Sequence, residues 1–287
     1  LKGRVAFVTG GARNLGYDMA LALAEAGADV ALTSRTPAGA ESAGAAIGKA
    51  TGRRVLPMEL EVTDEAEAAA VVDRILAEFG RLDILVNNAG ILKDRMLVNM
   101  TEEEWDEVVR IHLKGCFTIT KFASVYWRQI RNSGRLIYFT SDAGLRGSPG
   151  QPNYSAAHAG KLGLMRSNSR ALAKYGVTCN AIAPGASTRM TDRGRTVDRN
   201  NPPPSESAAG TARDPKNIVP IAVWLASDAG AVSNGRVYGA RGHTITLFRE
   251  PVRERVLQFE QPYIEIDDLF QIWPETLGTE SFAGEQR

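Results

Sequence analysis

A glycine-containing turn near the amino terminus has the residue types and context needed to bind phosphate. Thr9-Gly10-Gly11-Ala12-Arg13-Asn14-Leu15-Gly16 follows an apolar run and directly precedes an alanine-rich helical pattern. Glycines let the backbone approach a phosphate closely, and a helix N-terminus supplies unpaired N–H groups and a positive dipole end. An ordinary strand-to-helix turn is the alternative. Because strand, turn and helix coincide, we predict that the pyrophosphate of a dinucleotide contacts Gly10, Arg13, Asn14, Leu15 and Gly16.

The next apolar run ends in Thr33-Ser34-Arg35, where the dinucleotide's ribose would lie. A site that is specific for NAD usually carries a carboxylate there, which accepts from the ribose 2′-hydroxyl. Ser34 is neutral, and Arg35 and Arg13 could form charge-assisted hydrogen bonds to a 2′-phosphate. We therefore predict NADP rather than NAD as the cofactor, although NAD binding stays open. The alternative is that both arginines are solvated surface residues.

The elements that must position these residues are short β-branched runs alternating with longer helical patterns. This alternation predicts an α/β protein, a single-domain Rossmann fold whose doubly wound parallel sheet carries helices on both faces. We expect residues 1–245 to form the dinucleotide-binding catalytic domain. The predicted strands are Val5–Val8, Asp29–Thr33, Val55–Leu60, Leu82–Val86, Arg135–Phe139, Val177–Ile182 and Arg236–Tyr238; the predicted helices are 15–26, 64–79, 102–131 with a break near Gly115, 154–174 and 214–226.

Residues 246–287 are predicted to form a C-terminal extension that packs on the core or on a neighbouring subunit. The extension is too apolar for a solvated tail. Its apolar residues include Val256, Leu257, Phe259, Ile264, Leu269, Phe270, Ile272 and Trp273. Residues 200–215 are rich in Pro, Ser, Ala and Gly and are predicted to form a loop.

Composition narrows the class of protein. The 287 residues are 44% hydrophobic and carry a net charge of +1, which favours neither a nucleic-acid nor a membrane partner. No apolar run approaches the ~20 residues of a membrane span, and no signal-peptide pattern is present, so we expect a cytoplasmic protein. Cys116 and Cys179 are expected to be buried, reduced thiols. No His, Cys, Asp or Glu spacing suggests a metal site, and His243 is expected to pack in the core or an interface.

Five motifs together resemble the short-chain dehydrogenase/reductase family, over about residues 3–245. They are Thr9–Gly16, Asn87-Asn88-Ala89-Gly90, Ser141, Tyr154-Ser155-Ala156-Ala157 and Pro184-Gly185. A narrower set is similar to the (3R)-hydroxyacyl-CoA dehydrogenase part of peroxisomal multifunctional enzymes and their bacterial relatives. That set comprises Asn88–Arg95, Trp105, Ile111-His112-Leu113-Lys114-Gly115 and Gly150–Tyr154.

The resemblance implies a catalytic role for four positions. Tyr154 would exchange a proton with the substrate oxygen while the nicotinamide exchanges a hydride, and Ser141 would hydrogen-bond the same oxygen. The family places a lysine four residues after the tyrosine, where it binds the ribose and lowers the tyrosine pKa; this chain has His158 there. The family's asparagine on the preceding long helix is His112 here. Further cofactor contacts are implied for Glu61, Val62, Asn88, Ala89, Gly90, Tyr154, His158, Pro184, Gly185 and Thr188.

His158 is the departure with the largest expected consequence. An unperturbed tyrosine titrates near pH 10, so Tyr154 needs a nearby cation to act as a base at neutral pH. Imidazole is shorter than a lysine side chain and is largely neutral at pH 7. Lys161 would have to reach back ~10 Å along the helix axis to replace the missing charge. We expect a slow enzyme that is biased toward reduction.

Two functions from different classes follow. The first is an NADPH-dependent oxidoreductase that interconverts a ketone and a secondary alcohol, with a 3-oxoacyl or 3-hydroxyacyl thioester as the favoured substrate. The alternative is a cofactor-binding sensor or scaffold subunit with little turnover, which His158 favours and the retention of Tyr154 and Ser141 disfavours. A homotetramer or homodimer is expected from the family resemblance and because the two long helices carry apolar residues on faces taken as outer. The alternative is that these residues pack on the sheet. These residues include Phe117, Phe122, Tyr126 and Trp127.

Overall fold

The computed structural model describes residues 1–131, 133–188, 192, 207–253, 256–259 and 263–277. The chain divides into two units, Leu1–Phe248 and Arg249–Arg287. Residues 193–206, which include the first part of the predicted loop, lie outside the described residues.

The strands of the first unit form a single sheet. In its described residues they are β1 (Val5–Val8), β2 (Asp29–Ser34), β3 (Val55–Glu59), β4 (Ile84–Asn87), β5 (Gly134–Phe139), β6 (Val177–Pro184), β7 (Val237–Arg241) and β8 (Thr244–Leu247). The strand order is β3-β2-β1-β4-β5-β6-β7-β8, and every pair is parallel except β7 with β8. The order reverses between β1 and β4, and ligands of such sheets bind at the carboxyl ends of the strands beside this reversal. The predicted α/β Rossmann-type fold is confirmed.

Helices cover both faces of the sheet. The described helices of this unit are α1 (Asn14–Glu25), α2 (Pro37–Thr51), α3 (Glu65–Phe79), α4 (Glu102–Val109), α5 (Gly115–Ile130), α6 (Asp142–Arg146), α7 (Pro152–Ala171) and α8 (Val219–Ala226). Alternate residues of a strand point to opposite faces. In β1, Val5 and Phe7 join the core layer beneath α3, α5 and α7, and Ala6 and Val8 join the layer beneath α1, α2 and α8.

Two helices and one strand of this unit were not predicted from the sequence. Helix α2 was not predicted, because its buried face consists of Ala40, Ala43, Gly44 and one large residue, Ile47, and so carries little hydrophobic signal. Strand β8 was not predicted either; its four residues are all exposed, as suits an antiparallel edge strand. Helix α6 was not predicted either. The predicted break near Gly115 in the long helix 102–131 is confirmed, as a π-helical turn at Arg110–Lys114.

Two side chains lie elsewhere than expected. Trp127 was placed on the outer face of α5 but is fully buried, and its Nε1 donates to the carbonyl of Leu82 at 2.8 Å. Tryptophan is buried where its N–H finds such a partner. Phe117 on the same helix is 45% exposed. His243 is exposed in the turn between β7 and β8 rather than packed in the core, and its place in an interface stays a prediction.

In its described residues the second unit contains α9 (Ile266–Ile272) and a 3-10 turn at Trp273–Glu275. Ile266 and Phe270 are 70% and 77% exposed. Helices in the described part of both units are too short or too polar to cross a membrane.

Candidate active site

A cavity of about 730 Å³ opens at the carboxyl ends of the strands, beside the reversal of strand order between β1 and β4. Its size lies within the range of small-molecule sites. It is lined by Gly10, Ala12, Arg13, Asn14, Leu15, Gly16, Thr33, Ser34, Arg35, Thr36, Gly39, Leu60, Glu61, Val62, Asn88, Ala89, Gly90, Ile91, Leu92, Ile111, His112, Phe139, Thr140, Ser141, Gln151, Tyr154, His158, Lys161, Pro184, Ala186 and Thr188.

The glycine turn has the backbone that its sequence predicts. Gly10 has φ +64°, and Asn14 has φ +50°, a left-handed value that asparagine tolerates. A Cβ atom at Gly16 would lie 2.2 Å from the carbonyl oxygen of Gly10, so only glycine fits there. Helix α1 begins at Asn14 without a side-chain cap, and its first three residues line the cavity, so the unpaired N–H groups of this turn are available to an anion there.

Hydrogen bonds join the ends of β1 and β4 beneath the cavity. Thr9 Oγ1 accepts from the backbone N–H groups of Asn88 at 3.0 Å and Ala89 at 3.1 Å. The Asn88 side chain donates in return to the carbonyls of Thr9 and Gly10. These bonds fix the glycine turn against the strand that carries Asn88–Gly90.

The end of β2 presents hydroxyl and guanidinium groups to the cavity. Ser34 Oγ accepts from the backbone N–H of Thr36 at 3.2 Å, and Thr36 directly precedes α2, which has no side-chain cap. Arg35 and Arg13 are both exposed at the cavity rim. The lining carboxylate, Glu61, accepts from the backbone N–H and the hydroxyl of Thr63, at 3.2 Å and 2.9 Å. This corner of the cavity therefore favours an anion.

Tyr154 and Ser141 meet at the other end of the cavity. Ser141 caps α6 and accepts from the Ala143 backbone N–H at 3.2 Å, and Tyr154 lies in the first turn of α7. Burial raises the pKa of Tyr154 to about 12; a hydrogen bond with Ser141 opposes this shift, and the charge of Asp94 adds to it. Tyr154 is therefore a protonated phenol at neutral pH, paired with a hydroxyl.

His158 lies one helical turn after Tyr154 and is 3% exposed. Its ring centroid lies 4.1 Å from that of Tyr154. Both ring nitrogens are buried and have no hydrogen-bond partner. A buried polar atom without a partner costs free energy. A ligand that offers hydrogen-bond donors and acceptors would remove this cost at the His158 ring. The hydroxyls of a nicotinamide ribose fit this requirement, as a phosphate fits the N-terminus of α1.

His112 lies in the π-helical turn, where its ring packs beside those of Tyr154 and His158, with centroids 5.1 Å and 4.6 Å away. Burial and the charge of Lys161 lower the pKa of His112 to about 3, and the same two effects, in that order, lower the pKa of His158. Both rings are therefore neutral at pH 7. Lys161 does not reach Tyr154; its Nζ donates to His112 Nδ1 and to the carbonyl of Phe139.

Almost all of the predicted site residues line this one cavity. The exception is Gly185, whose N–H donates to the carbonyl of Ala240 and whose added Cβ would lie 2.8 Å from the Arg241 side chain. Its place is structural, at the junction of β6 and β7. Sequence reasoning missed Thr36 and Gly39; the available signal was Thr36-Pro37, a cap residue type followed by proline, which is typical of a helix start. The described residues contain no cluster of His, Cys, Asp and Glu that could hold a metal ion.

Comparisons with known proteins agree with this geometry. The short chain dehydrogenase family model matches residues 4–200. A relative from Mycobacterium tuberculosis, hydroxyacyl-CoA dehydrogenase ChsB1, is 40% identical over 271 residues, which are 89% of this chain and 82% of the relative. The 3-oxoacyl-[acyl-carrier-protein] reductase FabG of Thermotoga maritima is 35% identical, over 84% of this chain and 98% of its own. A crystal structure of a short chain dehydrogenase from Mycobacterium avium covers 98% of this chain and 96% of its own, with 33% identity and a TM-score of 0.84.

The Rossmann-type sheet, the glycine turn beside its switch-point cavity and the match to the short chain dehydrogenase model together place the chain among the NAD(P)-dependent oxidoreductases. More narrowly, the chain belongs to the short-chain dehydrogenase/reductase family, whose members act on CH–OH groups, as the resemblance in sequence predicted.

Proposed function

We propose that the protein is an NADPH-dependent oxidoreductase that interconverts a ketone and a secondary alcohol, with a 3-oxoacyl or 3-hydroxyacyl thioester as substrate. The observation that carries this proposal is the Tyr154–Ser141 pair at the inner end of the cavity. The names of two relatives, a hydroxyacyl-CoA dehydrogenase and a 3-oxoacyl-carrier-protein reductase, support the thioester as substrate class.

A nicotinamide, when bound, would supply or accept the hydride, and the chain's own residues would transfer the proton. In the reduction direction Tyr154 donates its phenol proton to the carbonyl oxygen, and Ser141 donates a hydrogen bond to the same atom. A phenol with a pKa of about 12 starts protonated at neutral pH, so reduction begins from the correct state. In the oxidation direction the same residue must first lose its proton, which the raised pKa opposes.

NADPH is favoured by the charges at the end of β2. Arg13 and Arg35 stand at the rim beside Ser34, and the carboxylate of Glu61 is held by Thr63. The uncapped start of α2 adds a positive dipole end at the same corner. A ribose 2′-phosphate would meet guanidinium groups and backbone N–H groups there.

The test is turnover of a 3-oxoacyl thioester by the purified protein with NADPH, beside NADH. Tyr154→Phe removes the proton donor and keeps the ring, so it should lower the rate at least ~100-fold, the usual worth of a positioned acid. Tyr175→Phe, in the turn that follows α7, is the control and should leave the rate unchanged. Equal rates for wild type and Tyr154→Phe would refute the proposal.

The second candidate is a cofactor-binding sensor or scaffold subunit with little turnover. The observation in its favour is His158, a neutral ring at the position from which the family's lysine lowers the tyrosine pKa. Fluorescence titration with NADPH, set beside turnover of a panel of ketones, separates the two candidates. Tight binding without turnover would establish the second.

The proposal also covers the oligomeric state and the cellular location of the protein. A homodimer or homotetramer would cover the exposed apolar residues of α5, which are Phe117, Val125 and Ile130. A cytoplasmic location suits Cys116 and Cys179, both of which are buried free thiols.

A further inference from the structure

Lys161 is a buried lysine that the proposed chemistry does not use. It lies on α7, two turns after Tyr154, and is 1% exposed. Its Nζ lies 3.1 Å from the carbonyl oxygen of Phe139 and 3.2 Å from Nδ1 of His112. Burial lowers the pKa of Lys161, and the nearby thiol of Cys116 opposes this shift. An ammonium carries three N–H donors, and the two groups that accept from them are uncharged. Burying a charge without an opposite charge is costly, so a mere packing role does not explain it.

The contacts of His112 show how Lys161 fixes the tautomer of this ring. Nε2 of this ring lies 2.7 Å from the carbonyl oxygen of Ile91 and 3.0 Å from its N–H. Ile91 thus offers an acceptor and a donor to the same nitrogen and does not select a tautomer. An ammonium is only a donor. With Lys161 on the other side, Nδ1 must accept, so the proton lies on Nε2 and is donated to the Ile91 carbonyl.

We propose that Lys161 is a positioning residue for the Tyr154 site, acting through its hydrogen bond to Nδ1 of His112, which fixes the tautomer of that ring and the packing of His158 against it. The inference rests on the proposed function for its kinetic readout. Its spectroscopic readout is independent of turnover.

We infer that Lys161 acts through His112 because its charge faces His112 and His158. The pKa of Tyr154 is raised by burial, lowered by the hydrogen bond with Ser141 and raised by the charge of Asp94. The charge of Lys161 instead faces the two histidines, which are otherwise in contact with each other and with Tyr154. Lys161 therefore does not replace a lysine at position 158.

The functional consequence is that burial, together with the charge of Lys161, keeps the His158 ring uncharged. A neutral imidazole accepts a proton at one nitrogen and donates from the other, whereas an imidazolium only donates. An imidazolium could give one proton to the Tyr154 phenolate after reduction, but only the neutral ring can relay protons, by accepting at one nitrogen while it donates from the other. Burial is the largest cause that keeps the pKa of both rings low, and the Lys161 charge is the second.

The test compares Lys161→Met with Lys114→Met. Methionine keeps the length of the side chain and removes the charge and the donors. Lys114 lies in the same π-helical turn as His112 but is exposed, which makes it the matched control. Nitrogen-15 spectra of histidine-labelled protein report the tautomer of His112, and pH–rate profiles of ketone reduction report the state of the site.

In the wild type and in Lys114→Met we expect Nδ1 of His112 to be unprotonated from pH 5 to 8. In Lys161→Met we expect a second tautomer to appear. Removing a positive charge raises the histidine pKa, so the fall in rate on acidification should begin about one pH unit higher. A wild-type tautomer in Lys161→Met, together with an unmoved pH profile, would overturn the proposal even if the rate fell uniformly.

The remaining outcomes are also decisive. If Lys161→Met fails to fold, the wild-type spectrum decides, because a proton on Nδ1 of His112 would overturn the inference. If no variant turns over a ketone, the proposed function fails, and the tautomers of wild type and Lys161→Met still decide the role of Lys161.

Discussion

The imidazole ring of His158 lies against the phenol ring of Tyr154, with 4.1 Å between the centroids and 48° between the planes. This contact puts a neutral ring where the family's lysine would put an ammonium. Two effects follow from it: nothing cationic at this position stabilises the Tyr154 phenolate, and the buried ring nitrogens of His158 are left for a ligand. The site suits proton donation better than proton removal.

Cofactor preference tests the anion-binding corner of the cavity. Arg35→Ala removes a guanidinium at the end of β2, and we expect it to weaken NADPH binding about five- to a hundredfold and to leave NADH little changed. Arg74→Ala, an exposed arginine on α3, is the matched control. Fluorescence titration with both cofactors provides the measurement. Equal wild-type affinities for NADPH and NADH would contradict the prediction.

The sequence predicted those parts of the site that depend on local motifs. The glycine turn could be placed because it joins a strand and a helix with clear apolar patterns, and Ser141 and Tyr154 could be placed because their motifs resemble those of the family. Lys161 could not be given its partner, because its contact with His112 depends on a π-helical turn that shifts the register of α4 into α5. Gly185 follows a strand end as Asn88 does, but packing against Arg241 puts it outside the cavity.

Because Trp127 is buried in the core, substitutions at this position test how the core packs. Trp127→Ala should lower the free energy of unfolding by about 3–5 kcal/mol, because it leaves a cavity in the core layer beneath α5. Trp127→Phe keeps most of the volume and loses the hydrogen bond to the Leu82 carbonyl, so its cost should be smaller, about 1–3 kcal/mol. Urea unfolding measures both. A loss under about 1 kcal/mol for Trp127→Ala would place this side chain outside the core.

We expect the proposed oligomer to assemble through the exposed apolar residues of α5. Phe117→Glu puts a charge on this face and should shift a dimer or tetramer toward monomer at micromolar concentration. Val232→Glu, at a residue that is 86% exposed beyond α8, is the control and should leave the assembly unchanged. Light scattering distinguishes the species. A monomeric wild type would refute the predicted oligomer.

The C-terminal extension is predicted to pack on the core or on a neighbouring subunit. Removing residues 249–287 should then lower the melting temperature or change the oligomeric state, because the apolar surface that the extension covers becomes exposed. Limited proteolysis followed by thermal unfolding provides the measurement. Rapid loss of the extension with unchanged stability, assembly and activity would show that it is a free tail.

Restoring a lysine at position 158 tests the electrostatic argument. An ammonium one turn from Tyr154 should lower its pKa by about one unit or more. Because Tyr154 must be deprotonated to act as a base, the rise in the rate of alcohol oxidation should move to lower pH by the same amount. Reduction starts from the protonated phenol, so its pH dependence should change less.

Lys161 complicates the interpretation of the single variant His158→Lys, because the lysine introduced at position 158 would lie one helical turn from the buried ammonium of Lys161. Repulsion between the two charges favours loss of a proton from one of them, which would hide part of the effect. The double variant His158→Lys/Lys161→Met removes this repulsion, and Lys161→Met alone is its control. We expect oxidation to be faster in the double variant than in either single variant, with its pH profile shifted furthest toward acid. Profiles that stay at the wild-type position in both variants carrying the new lysine would mean that this site does not use Tyr154 as its base.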